Sequence, residues 1–169
     1  MGMFSFAKDI GEKIFNRDDA KHDAKAETKA DANTPVQSTE PSAQSVANIL
    51  LRRIQQQNLN ISNLKVKYNG STDTAEISGK AKTQADREKA IIAIGNVQNV
   101  AQVIDKIDIE EDAPESTMYT VKSGDSLSKI AKEVYGSTGD YMKIFEANKP
   151  MLSDPDKIYP GQVLRIPKP

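Results

Sequence analysis

The sequence predicts an α+β protein with two small domains, and three observations support this fold class. Apolar residues at helical spacing (Val46, Leu50 and Ile54) predict a helix with one buried face. Alternating apolar and polar residues in Leu64–Tyr68 predict a strand soon after it. A second mixture of short strands and helices follows the acidic, proline-containing stretch 111–117, which we interpret as a linker. A chain of 169 residues has room for two such domains.

The first predicted domain spans residues 45–110 and has the order αββαβ. Turn-forming residues separate its strands, and a glycine after the second helix is a typical helix end. The predicted elements are a helix capped by Ser45, strands Leu64–Tyr68 and Thr74–Ser78, a helix from Thr83 to Ile94, and strand Val103–Ile109.

The second predicted domain spans residues 118–167 and has the order βααβ. Asp125 or Ser126 is a suitable cap for its first helix, and Gly136 a suitable end. The predicted elements are a strand at Thr120–Val121, a tight turn at Ser123–Gly124, helices ending at Tyr135 and spanning Tyr141–Ala147, a turn at Tyr159–Gly161, and strand Val163–Ile166.

The N-terminal segment 1–15 carries apolar residues at three- and four-residue spacing. Met3, Phe6, Ile10 and Ile14 therefore predict an amphipathic helix. A signal peptide needs a continuous apolar core, and charged residues interrupt this segment. No stretch of the sequence approaches the ~20 apolar residues of a membrane span. We therefore expect a soluble, cytoplasmic protein.

Residues 16–44 are predicted to form a disordered or weakly helical linker. Val36 is their only aliphatic residue larger than alanine, and Pro35 and Pro41 interrupt any continuous helix. Such a polar stretch cannot bury enough apolar surface to offset the entropy of an ordered chain.

Composition excludes several function classes. The 23 basic and 24 acidic side chains give a net charge of −1. The chain therefore lacks the excess of positive charge that would indicate a nucleic-acid partner. Cysteine is absent and histidine occurs once, so neither thiolate nor paired-histidine metal sites are expected. Ser126 and Lys129 match an S-x-x-K pattern, but the companion motifs of penicillin-binding enzymes are missing. The sequence therefore predicts a binding protein and not an enzyme.

The C-terminal domain resembles the LysM family. The resemblance lies in Tyr119-Thr-Val-Lys-Ser-Gly-Asp-Ser-Leu127 and in Ile158-Tyr-Pro-Gly-Gln-Val-Leu-Arg-Ile-Pro167. It implies binding of an N-acetylglucosamine polymer such as peptidoglycan, in a groove between two loops. The implied glycan residues are Gly124, Asp125, Ser126, Leu127, Ile158, Tyr159, Pro160 and Gly161. A purely structural alternative is that Asp125 caps a helix and Pro160–Gly161 forms a turn whatever is bound.

The first domain resembles the BON family through its αββαβ order and the run Ile94-Gly-Asn-Val-Gln-Asn-Val100. The whole chain resembles the family of bacterial cytoplasmic potassium-binding proteins. That resemblance extends from the N-terminal Met-Gly-x-Phe-x-Phe-x-Lys-Asp-x-Gly-Glu-Lys to the Ile-Phe-Glu-Ala-Asn-Lys-Pro-Met-Leu run near the end. It implies a monomeric K⁺ sensor, active in stress responses, that also accepts Rb⁺ and closes its two domains around the ion. The linker 16–44 departs from the expected pattern.

Potassium chemistry indicates which residues could hold such an ion. Selection against Na⁺ uses neutral carbonyl oxygens, and helix C-termini offer unpaired carbonyls. Two glycine-ended segments provide the candidates Ala7, Ile10, Gly95, Asn96, Val97 and Val100. We expect Gly11 to free carbonyls by taking φ > 0; it could instead be a helix defect, and Gly95 a plain helix cap. Two alternative functions remain: a peptidoglycan-binding envelope protein, and a stress-response scaffold that binds neither ion nor glycan.

Overall fold

The structure is a computed structural model that describes residues 2–11 and 42–169. Most of the predicted linker 16–44, and residues 12–15 of the predicted N-terminal helix, lie outside these ranges. The first part of the fold contains β1 (Gly2–Ser5), α1 (Ala43–Gln56), β2 (Ile61–Asn69), β3 (Thr74–Thr83), α2 (Gln84–Gly95) and β4 (Gln102–Glu111). The second contains β5 (Thr117–Thr120), α3 (Leu127–Tyr135), a 3₁₀ turn (Thr138–Asp140), α4 (Tyr141–Ala147) and β6 (Val163–Ile166).

The prediction of an N-terminal helix is wrong over the described residues. Residues Gly2–Ser5 form an edge strand that pairs antiparallel with β4, placing Phe4 opposite Val103. Phe4 and Phe6 both pack against the first hydrophobic core, as alternate residues of a strand do. The edge of β4 supplies hydrogen-bond partners that the isolated sequence does not reveal, so pairing outweighs the helical spacing.

The predicted αββαβ order is confirmed, with longer strands than expected. Strands β2 and β3 form an antiparallel hairpin, and α2 connects β3 to the parallel strand β4. The sheet order is β1-β4-β3-β2. The N-cap of helix α1 is Ser42 and not the predicted Ser45, so the helix begins at Ala43. The Ser42 Oγ accepts a hydrogen bond from the Ser45 backbone amide at 3.2 Å. Assignment of this domain to the BON family stays a prediction.

The first core lies between the sheet and its two helices. Fully buried aliphatic residues from α1, β3, α2 and β4 fill it, and side chains of β1 and β2 close its edges. Its largest members include Leu50, Ile54, Ile77, Ile91, Ile94 and Val103. Burial of this apolar surface is the main force that holds the two helices on the sheet.

The second domain confirms the predicted βααβ order. Ser126, and not Asp125, caps α3 by accepting the Lys129 amide at 3.3 Å, and Gly136 ends that helix with φ of 79°. Strands β5 and β6 pair antiparallel. A separate core of Val121, Leu127, Ile130, Ile144, Phe145 and Leu164 lies beneath them. Within residues 2–11 and 42–169, no helix is long and apolar enough to span a membrane.

A buried ion pair connects α2 to the sheet. Asp105 is fully buried on β4, and the Arg87 guanidinium contacts its carboxylate at 2.6 Å. The same carboxylate accepts the Ile107 amide at 2.9 Å. A buried carboxylate needs such partners because removal from water strongly disfavours its charged form.

We predict that Arg87→Met lowers the free energy of unfolding by about 3 to 5 kcal/mol, because Asp105 would lose its buried charge partner. Denaturant unfolding followed by circular dichroism measures the change. Lys80→Gln is the control, since its pair with Glu110 is largely exposed and should change the same quantity by less than about 0.5 kcal/mol. Equal effects of the two substitutions would contradict the prediction.

Candidate functional site

Three segments of the chain meet where α2 ends. They are the N-terminal turn (Ala7–Gly11), the α2 loop (Asn96–Val100) and the turn before β6 (Tyr159–Gly161). The N-terminal turn contacts both of the other segments: its Gly11 lies against the α2 loop, and its Ile10 lies against Gly161. The sequence candidates of the first two segments are therefore brought together, although 84 positions or more separate them along the chain.

Gly11 is a glycine because the backbone of the α2 loop passes directly over it. A Cβ atom at this position would lie 2.7 Å from the Asn96 carbonyl oxygen and 2.9 Å from the Gln98 amide nitrogen. Its φ lies outside the left-handed region, so the expectation of a positive φ is wrong. Close approach of two backbones, and not backbone conformation, is the reason for glycine here.

Gly95 also differs from its predicted role. It is the last residue of α2, and the cap residue is Asn96, with φ of −81°. A Cβ on Gly95 would lie 2.1 Å from the ring of Phe6, so the absence of a side chain lets that ring cover the helix end. Phe6 thereby places the N-terminal turn against the α2 loop.

Backbone hydrogen bonds hold the two segments in register. The Phe6 amide donates to the Ala101 carbonyl and the Asn99 amide to the Lys8 carbonyl, both at 2.8 Å. A hydrogen bond from the Ile10 amide to the Ala7 carbonyl, at 3.0 Å, closes the N-terminal turn. A hydrogen bond from the Val100 amide to the Val97 carbonyl, at 3.2 Å, closes the α2 loop. A carbonyl oxygen has two acceptor sites, so Ala7 and Val97 can accept one turn bond and still contact a further ligand.

A polar cluster supports the outer side of these segments. The Tyr68 hydroxyl shares its single proton between two acceptors, the Asn99 carbonyl at 2.6 Å and the Asp73 carboxylate at 3.2 Å. Lys8 pairs with the same carboxylate at 3.0 Å. Burial, reinforced by Asp73, raises the pKa of Tyr68 to about 12, so the phenol stays protonated and keeps donating throughout the physiological range.

A cleft of about 560 Å³ opens beside the meeting point. All three segments contribute to its wall, together with residues of α1 and of the stretch before β6. The lining residues are Asp9, Ile10, Gly11, Arg53, Asn96, Met151, Leu152, Ser153, Lys157, Tyr159 and Gln162. Ile10 and Asn96 are the candidate ion-binding residues among them. The other candidates do not line the cleft: Gly95, Val97 and Val100 are buried, and Ala7 is half-buried.

The glycan candidates divide into two loops with different surroundings. Gly124 (φ of 83°) is in a turn closed by the Asp125 amide on the Lys122 carbonyl, and no atom lies within 4 Å of its added Cβ. Asp125 accepts the Lys122 amide at 2.9 Å and the Tyr119 hydroxyl at 3.0 Å, which makes it a turn residue. Leu127 is buried in the second core, and Ser126 is the helix cap.

The second glycan loop is partly covered by the N-terminal turn. The predicted turn has Pro160 and Gly161 (φ of 88°) at its centre. It is closed by a hydrogen bond of 3.1 Å from the Gln162 backbone amide to the Tyr159 carbonyl. A Cβ on Gly161 would lie 3.1 Å from Ile10 and 3.4 Å from Ala7. Ile158, earlier in this loop, packs against the second core.

The two domains also contact each other through side chains. The Asn96 amide group donates to the Val163 carbonyl at 2.7 Å, and its oxygen accepts the Val163 amide at 2.8 Å. Glu88 of α2 pairs with Arg165 of β6 and accepts the Ser116 amide of the connecting segment at 2.7 Å. Burial of Glu88 opposes its ionisation, but the bonds from Gln84, Ser116 and Arg165 outweigh it and hold its pKa below the usual value.

Comparison with known proteins places this architecture in a family. Residues 119–167 match the LysM domain family. The chain is 41% identical, over 168 residues and 99% of both chains, to the "Potassium binding protein Kbp" of Escherichia coli O6:H1 strain CFT073. This chain belongs to the Kbp family.

Two further relatives match this Kbp-family chain only locally. An uncharacterized protein of Deinococcus radiodurans is 55% identical over 60 residues, which is 36% of this chain and 22% of that protein. The "LysM domain-containing GPI-anchored protein 2" of Arabidopsis thaliana is 47% identical over 51 residues, which is 30% of this chain and 14% of that protein. The similarity to the Kbp relative, by contrast, extends along the whole chain.

Sequence reasoning missed several residues that build the site of this Kbp-family chain. Phe6 was assigned to a helix face, and neither the Asn96 side chain nor the Glu88–Arg165 pair was recognised. The only sequence signal for this site was the pair of glycines, Gly11 and Gly95, because neither lies in a predicted hairpin turn that would explain a glycine. Their partners are 84 or more positions away or on another domain, so no local pattern could identify them.

We predict that Gly11→Ala separates the N-terminal turn from the α2 loop, because its Cβ would meet backbone atoms that cannot rotate away. Amide exchange at Asn99, whose N–H donates to Lys8, should become about tenfold faster, the equivalent of roughly 1.4 kcal/mol in local opening. Gly139→Ala is the matched control, because its Cβ would make only an ordinary 3.7 Å contact with Ser137. Unchanged exchange at Asn99 in Gly11→Ala would show that the turn is not seated as described.

Proposed function

We propose that this protein binds K⁺ through main-chain carbonyls of the N-terminal turn, the last residue of α2 and the α2 loop. The observation that carries the proposal is the 41% identity to a potassium-binding protein over 99% of both chains. The meeting of the two candidate segments at the end of α2 supports it independently. The proposed ligands come from Ala7, Ile10, Gly95, Asn96, Val97 and Val100.

The chemistry of this junction suits a large monovalent cation. Neutral carbonyl oxygens can replace the hydration shell of K⁺ while holding it less rigidly than carboxylates would hold a smaller ion. The C-terminus of α2 contributes carbonyls without intrahelical partners and the partially negative end of the helix dipole. A second backbone, that of the N-terminal turn, lies directly against this end, since a Cβ on Gly11 would lie 2.7 Å from the Asn96 carbonyl oxygen.

Domain closure is the proposed response to the ion. The turn before β6 contacts the N-terminal turn, and Asn96 connects the α2 loop to Val163. An ion that binds only this closed arrangement would shift the population towards it. We further propose that the protein is a monomeric, cytoplasmic K⁺ sensor and stress-response protein, not an enzyme.

We predict that KCl raises the melting temperature well above that in NaCl at equal ionic strength, because K⁺ stabilises only the state that offers the site. RbCl should act like KCl, and calorimetric titration should show the same order of affinity. Asp9→Asn should change K⁺ affinity little, since carbonyls and not this exposed carboxylate would hold the ion. Identical melting curves in the three salts would refute the proposed function.

A second candidate function is glycan binding by the LysM domain, which the match over residues 119–167 favours. The loop at Gly124–Leu127 is open at Gly124, whereas the N-terminal turn covers Gly161. This function would require a protein that reaches the cell envelope and its peptidoglycan.

We predict that, if glycan binding is the main function, a soluble N-acetylglucosamine oligomer will produce a saturable calorimetric signal and the protein will sediment with isolated cell walls. Fractionation of cells tests location separately, because the K⁺ sensor should remain in the spheroplast fraction. Absence of both signals would reject this candidate.

A further inference from the structure

The outer edge of β6 has an unusual arrangement of hydrogen bonds. In an antiparallel pair, alternate residues direct their N–H and C=O groups away from the partner strand. On β6 these residues are Val163 and Arg165, and each is bonded by both ends of an asparagine side-chain amide. Such an amide imitates the donor and acceptor of a neighbouring strand, so it completes an otherwise open sheet edge.

The two asparagines come from different domains. Asn148, which follows α4, accepts the Arg165 amide at 2.7 Å and donates to the Arg165 carbonyl at 2.8 Å. Asn96, which follows α2 in the first domain, makes the equivalent pair of bonds with Val163 at 2.8 Å and 2.7 Å. Each domain therefore supplies one half of the edge of the same strand.

Asn96 is suited to a coupling role because of where it lies. Its side chain is in the domain interface, while its backbone is in the α2 loop beside Gly11. Only 3% of the residue is exposed, so its amide would lose two buried hydrogen bonds if the domains separated. The same strand is also joined to α2 about two helical turns earlier, by the Arg165 pair with Glu88.

We propose that the Asn96 side chain is a positioning residue that couples closure of the LysM domain to K⁺ affinity. This inference rests on the proposed function. The bonds to Val163 orient the α2 loop so that its carbonyls meet those of the N-terminal turn. When the domains are apart, the loop loses that orientation, and the measured affinity falls in proportion to the closed fraction.

The decisive variant is Asn96→Asp, which has the same shape but replaces the donor to the Val163 carbonyl with an oxygen. K⁺ affinity should fall about tenfold or more, since the closed state loses a buried hydrogen bond and gains an oxygen–oxygen repulsion. Affinity for Rb⁺ should fall by the same factor. A residue that contacted the ion through its side chain would instead change the ratio of the two affinities.

Asn60→Asp is the matched control, because it introduces the same charge at an exposed position of the first domain and should leave K⁺ affinity unchanged. Glu88→Gln is a second test of coupling that keeps the size of the side chain. It weakens the other contact between α2 and β6, so it should also lower K⁺ and Rb⁺ affinity by a common factor. Circular dichroism establishes that each variant is folded before titration, and Asn96→Ala, which removes both bonds to Val163 without adding a charge, takes the place of Asn96→Asp if that variant does not fold.

The outcomes separate the two levels of the hypothesis. Absence of K⁺ binding by the unchanged protein would reject the proposed function. If that protein binds K⁺ while the folded Asn96→Asp variant binds it equally well, more tightly or with an altered ratio of K⁺ to Rb⁺ affinity, the coupling role of Asn96 is wrong. An equal loss for both ions, with Asn60→Asp unaffected, supports it.

Discussion

The close approach of the N-terminal turn to the end of α2 is the constraint on which the arrangement of this protein depends. Gly11 allows its backbone to lie against that of Asn96 and Gln98, and Gly95 allows the ring of Phe6 to cover the helix end. The turn then presents Ile10 and Ala7 to Gly161 of the LysM domain. The turn that follows β1 therefore lies against both domains.

Buried charges reinforce the same junction from α2. Arg87 pairs with Asp105 of its own sheet, whereas the next residue, Glu88, pairs with Arg165 of the LysM domain. Each buried charge has its partner, which offsets the cost of removing it from water. Their placement on successive residues directs one contact into the first domain and one across the interface. Helix α2 is therefore bonded to both domains, and the loop that follows it contains ion-binding candidates.

Most secondary structure outside the N-terminal segment could be predicted from the sequence, because local signals decide it. Thr83 caps α2, Gly136 ends α3, and Pro160–Gly161 forms the turn before β6, as these residue types do in many contexts. The N-terminal segment was mispredicted because its apolar spacing fits a helix while its pairing partner, β4, lies about a hundred positions later. Pairing across that separation has no local signature.

The candidate site shows the same division. Sequence alone determined the α+β class and the order of elements after the linker, because apolar periodicity, caps and glycines act within a few residues; the ion-binding segments stay predictions. Only the tertiary structure decided why Gly11 and Gly95 are glycines, and that the Asn96 side chain bonds Val163. Those roles arise from contacts between segments that are distant in sequence. An asparagine can be a turn residue, a helix cap or a hydrogen-bonding partner of a strand edge, and only its neighbours in the fold decide which of these it is.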